Sequence, residues 1–137
     1  MQKKVTNVLL YTIASLILSA SMVSTVFAAN DPSIKGDLRE HIQQAMQQFI
    51  QQQTINQAMY LYDAVDGGLL KLTLDKLHDG IVKKGDFYVS CADFSDQKGR
   101  KIDVDFLVRS DNHKFLATQG LIHSVDGEKR KYHLEKL

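Results

Sequence analysis

Lys101-Ile102-Asp103-Val104-Asp105-Phe106-Leu107-Val108-Arg109 is the stretch that decides the fold of this chain. Ile102, Val104, Phe106 and Val108 alternate with Lys101, Asp103, Asp105 and Arg109, the period of a strand with one buried face. Just before it, Phe87-Tyr88-Val89-Ser90-Cys91-Ala92 lies in a segment from Asp86 to Phe94 that is apolar on both faces, as a central strand is. Asp96-Gln97-Lys98-Gly99 turns the chain between the two, so they form a hairpin. In one register of that hairpin Asp93 faces Ile102, while Ala92 and Ser90 face Asp103 and Asp105. Shifted by one residue, Asp93 faces Asp103 and Cys91 faces Asp105. The first register places Phe87, Val89 and Cys91 with Val104, Phe106 and Val108 on one apolar face, and is the one expected.

Further strands flank this pair. Met59–Val65 is extended and closes on Asp66-Gly67-Gly68, a turn. Leu70, Leu72 and Leu74 alternate with Lys71, Thr73 and Asp75. His78-Asp79-Gly80 and Lys83-Lys84-Gly85-Asp86 read as two more turns. Ser110-Asp111-Asn112 is a turn, Lys114–Val125 a strand, Asp126-Gly127 another turn, and Tyr132 with Leu134 a last short strand. Upstream the period is 3.6. Ile34, Leu38, Ile42, Ala45, Met46, Phe49 and Ile50 share one face of a helix running from Ile34 to about Asn56. Gln43, Gln44, Gln47, Gln48, Gln51 and Gln52 form its opposite, solvated face. The expected fold is therefore α+β: one N-terminal amphipathic helix packed on a curved antiparallel meander of four to five strands.

The first 28 residues carry the signs of a signal peptide. Lys3 and Lys4 precede an uncharged apolar run, Val8–Val23, and Val26-Phe27-Ala28 has the spacing a signal peptidase reads. The expected cut is Ala28|Ala29, with Ala29|Asn30 second, leaving residues 29–137 as a single exported domain, periplasmic or secreted. Losing Lys3 and Lys4 leaves 15 basic against 16 acidic residues. That near-neutral balance offers no footprint for nucleic acid, and no membrane association is expected after cleavage. The run Lys129-Arg130-Lys131 reads as a solvated hairpin end. With Cys91 as its one cysteine, the chain has no internal disulfide, and core burial must hold the fold. Cys91 is expected to be buried and structural.

The architecture resembles the cystatin-like and nuclear-transport-factor-like rolls. Leu77-His78-Asp79-Gly80, Lys84-Gly85-Asp86, Cys91-Ala92-Asp93-Phe94, Gly99, Asp103-Val104-Asp105-Phe106 and His123-Ser124-Val125-Asp126-Gly127 together resemble an uncharacterised family of small exported bacterial proteins. That resemblance runs from about Leu61 onward. It implies secretion and an α+β fold and brings no activity or catalytic residues.

The candidate site residues are Asp93, Asp103, Asp105, His78, Cys91 and His123. Whether Asp93 joins Asp103 and Asp105 depends on the register. Three convergent carboxylates would suit Ca²⁺, but a solvated outer strand face paired with neighbouring Lys or Arg is the reading expected, and the spacing is not that of an EF-hand loop. Histidines 41, 78, 113, 123 and 133 are scattered, none at the i,i+4 spacing of a zinc protease, and no Cys–His cluster for a structural zinc is expected. Cys91 with a histidine would make a nucleophile–base pair, but a strand-centre thiol is poorly exposed. No Gly-x-Ser-x-Gly elbow, P-loop or dinucleotide fingerprint is present. The expectation is a non-catalytic binding or interaction module for a protein or small molecule, without cofactor or obligatory metal, as a monomer or weak dimer. An enzyme with an Asp/His pocket is the alternative. A cystatin-like protease inhibitor is weaker, because Gln119-Gly120 does not make the Gln-x-Val-x-Gly hairpin and the chain has no Trp.

Overall fold

Residues 29–131 are described by a computed structural model of the chain. The signal peptide expected over residues 1–28 and the strand expected at Tyr132 and Leu134 lie outside these residues. Among the described residues no helix is long and apolar enough to cross a membrane.

The single helix among the described residues, α1 (Asp37–Gln52), is shorter than the 3.6 period suggested. It starts after Gly36, whose φ of 57° is the left-handed conformation that glycine adopts without penalty. Asp37 and Glu40 in its first turn complement the helix dipole. It stops at Gln52 because Asn56 and Gln57, at φ 49° and 66°, form a tight turn instead of a further helical turn. That turn joins β1 (Thr54–Ile55) to β2 (Ala58–Asp63).

The remaining strands are β3 (Gly68–Lys84), β4 (Phe87–Asp96), β5 (Lys101–Asp111), β6 (Lys114–Val125) and β7 (Glu128–Lys129). All seven form one antiparallel sheet in sequence order. This corrects the expected fold. The described residues are mostly sheet, a seven-stranded meander with one short helix, and not the helix on four to five strands of a cystatin-like or nuclear-transport-factor-like roll. One source of the error lies at His78-Asp79-Gly80. These residues are no turn; they lie inside a single 17-residue β3. Their polar and glycine content serves a bulge, where three residues of β3 oppose Cys91 alone, between the pairs Leu77↔Ala92 and Ile81↔Ser90.

The expected β4–β5 register is also overturned. Asp93 pairs with Asp103, Cys91 with Asp105, Ala92 with Val104 and Phe94 with Ile102. The core face of β4 is therefore Ser90, Ala92 and Phe94, all fully buried. Phe94 at 94 outweighs Phe87 and Val89: its ring sits 6.3 Å from that of Phe106, itself edge-on to Phe49 of α1 at 5.8 Å. Ile42, Ala45, Met46 and Ile50 of α1 pack on this face, mainly against β6, β4 and β5. The glutamine face is solvated as expected, with only Gln43 half-buried.

The sheet curls until β2 touches β6. Arg130 fastens the curl. Its Nη2 lies 2.8 Å from Oδ2 of Asp63, a carboxylate only 1% exposed, and 2.9 Å from Oδ2 of Asp66. The reading of residues 129–131 as a solvated end thus fails at Arg130, whose stem and charge are recruited to neutralise a buried acid.

Candidate functional site

The observed register turns part of the polar content of β4 and β5 to the sheet face away from α1. Cys91, Asp93, Asp103 and Asp105 stand there as two directly opposed pairs. The strands on either side each bring one histidine to the same patch. His78 comes from the β3 bulge. His123 is the extra residue of a second bulge, between Asp103↔Ser124 and Val104↔Ile122. A bulge re-aims a side chain that a regular pleat would send elsewhere. All six sequence candidates are thus gathered from four strands, and the Cys–His cluster that sequence spacing did not show is made by the fold.

His78 joins two members. Its Nδ1 is 3.1 Å from Cys91 Sγ and its Nε2 is 2.9 Å from Asp93 Oδ2. With Nε2–H donating to the carboxylate, the Nδ1 lone pair faces the thiol. His123 Nδ1 is 2.7 Å from Asp105 Oδ2, a carboxylate whose residue is buried. Asp103 between them has a buried Oδ1 with no hydrogen-bond partner.

The electrostatics follow from half-burial of several acids together. Burial, then the charge of Asp105, pushes the Asp103 carboxyl up to about 6. Burial, then the charges of Asp103, Asp105 and Asp93, pushes the Cys91 thiol well above its ordinary range. The hydrogen bond that His123 Nδ1–H donates to the Asp105 carboxylate raises the pKa of His123. Cys91 is half-buried, not fully enclosed as expected.

Two further residues shape the patch, and nothing in their sequence context marked them. Arg39 of α1 donates through Nη1 to the backbone carbonyl of Asp79, inside the β3 bulge, and through Nη2 to Asn30 Oδ1 at 2.8 Å. Asn30 Oδ1 also accepts from the Ile81 amide at 3.3 Å. The segment before α1 and the helix itself therefore brace the bulge that carries His78. Elsewhere, a depression of about 450 Å³ is lined by Asp66, Arg100 and Arg130, whose guanidinium groups are already salt-bridged to Asp96, Asp63 and Asp66.

No family model matches the chain, and it matches no curated protein and no solved structure.

Proposed function

We propose that this is a small exported binding module whose ligand site is the outward patch of His78, Cys91, Asp93, Asp103, Asp105 and His123. One observation carries the reading: two separate bulges, in β3 and in β6, each deliver a histidine to a face already holding three carboxylates and a thiol. Such a set is costly for a fold to assemble, because like charges opposed across a strand pair repel. Export rests on Lys3, Lys4, the apolar run and Val26-Phe27-Ala28; N-terminal sequencing of host-purified protein should begin at Ala29 or Asn30, and an intact Met1 form would oppose it.

A thiol enzyme is the second reading, favoured by the line Cys91 Sγ, His78 Nδ1 and Asp93 Oδ2, the order of nucleophile, base and orienter. A nucleophilic thiol needs its pKa lowered, and here burial and three acids raise it. Binding is therefore preferred. Thermal-shift measurements with divalent cations, nucleotides, sugars and amino acids test it, comparing wild type with the Asp103→Asn/His123→Ala variant. At least one class should raise Tm only in the wild type. No patch-dependent shift, or a p-nitrophenyl ester burst abolished by Cys91→Ala, would reject the module reading.

A further inference from the structure

We infer that the patch is a site for a borderline divalent transition metal, Zn²⁺ above all, ligated by His78 Nδ1, Cys91 Sγ and an oxygen of Asp103. The inference rests on the binding-module reading and names its ligand class. The three donor atoms lie within 4.8 Å of one another, and the Nδ1–Sγ pair is 3.1 Å apart. Tetrahedral Zn²⁺ with bonds of 2.0–2.3 Å sets its ligands roughly 3.3–3.7 Å apart, so small side-chain rotations suffice. The strands fix the three Cα positions: Cys91 and Asp103 come from paired β4 and β5, and His78 from the β3 bulge opposite Cys91.

The donor chemistry selects the ion. One nitrogen, one sulfur and one carboxylate oxygen suit Zn²⁺, Co²⁺ or Ni²⁺ and are a poor set for Ca²⁺ or Mg²⁺, which take oxygen alone. Ca²⁺ on Asp93, Asp103 and Asp105 is further opposed by the partners these acids have: Asp93 Oδ2 is bonded to His78 and Asp105 Oδ2 to His123. Those same bonds suit a transition metal. Asp93 receives the Nε2–H of His78, which fixes the tautomer that frees Nδ1 for the ion. Meanwhile the buried, unpartnered Oδ1 of Asp103 lacks a cation or donor that the site would supply. Binding replaces the S–H bond of Cys91 with a metal–sulfur bond and releases that proton to solvent, leaving the fourth position to water or an exogenous ligand. No oxidation or reduction is involved.

The test is titration of tag-free protein, expressed from the full sequence and kept reduced, with Co²⁺ and Zn²⁺ by absorption and calorimetry. One equivalent should bind at micromolar or tighter Kd, with a thiolate-to-cobalt charge-transfer band. Cys91→Ala should abolish the band, and His78→Ala or Asp103→Asn should remove most of the affinity. Asp93→Asn keeps every ligand and should weaken binding by roughly 10–100-fold. Circular dichroism of each metal-free variant checks folding, and the Asp93→Asn arm decides should a ligand variant not fold. Affinity unchanged in Cys91→Ala, or no binding at millimolar Zn²⁺, overturns the metal site. If the metals fail while another ligand class raises Tm through the patch, the module reading stands alone; if nothing binds there, both fall.

Discussion

Asp93 of β4 stands directly opposite Asp103 of β5, on the sheet face turned away from the helix. Two carboxylates in one cross-strand pair repel, and the repulsion is felt by Asp103, whose Oδ1 is buried and unpartnered. A fold that keeps this arrangement holds a destabilising charge at its candidate site.

Replacing Asp103 by Asn should therefore stabilise the metal-free protein. The carboxyl is raised from 3.8 to about 6 in the folded chain. Between those values the native state binds more protons than the unfolded one, so stability falls as pH rises from 4 to 6 and levels off above. His123, also raised, acts in the same direction: its stabilising bond to Asp105 is fullest below the ordinary histidine value and fades as pH rises through the elevated one. Urea unfolding should show Asp103→Asn more stable by about 1–2 kcal/mol at pH 7, after discounting for solvent access, with the difference vanishing near pH 4. A gain that persists at pH 4 would mean that packing, not charge, was relieved.

Cys91 should react slowly in the native protein. Burial and three neighbouring acids hold its thiol neutral near pH 8. Iodoacetamide labelling followed by mass spectrometry should be many-fold slower before addition of urea than after. Equal rates would show a thiolate that the fold does not suppress.

Arg130→Ala should be among the most damaging changes at any polar position. It strands Asp63, 1% exposed, as a buried anion, although the Val65 amide still donates to Asp63 Oδ1 at 3.0 Å. The expected loss is about 3 kcal/mol in denaturant melts. Asp63→Asn should lose less, because the amide keeps hydrogen bonding and buries no charge. The reverse ranking would contradict the role of this pair in closing the curl.

Arg39→Ala removes the donor to the Asp79 carbonyl and should loosen the β3 bulge. Hydrogen exchange should rise at residues 78–81 while the β4–β5 core stays protected. The expected loss of stability is about 1–2 kcal/mol. Unchanged exchange at the bulge would mean that β3 holds it without the helix.

The buried face of the helix was legible from residue spacing, since Ile42, Ala45, Met46 and Ile50 repeat at three and four and are buried. So were the turns at Gly67, Gly85 and Gly99 and the whole of β6, each marked by glycine, Asn or Asp between alternating runs. The identities of the six site residues were also visible, as three acids, two histidines and the one cysteine of the chain. Their convergence was not. β4 is apolar on both faces, so its pattern does not specify which face is buried, and the choice fell to the fit of Phe94 against Phe106 and α1. One residue of slip there exchanges Phe87, Val89 and Cys91 for Ser90, Ala92 and Phe94 on the face that meets α1, although Val89 stays buried. The bulges that aim His78 and His123 are set by pairing with neighbouring strands and, for His78, by Arg39 reaching from the helix. Register and bulges are relations between strands distant in sequence, and only the packed sheet decides them.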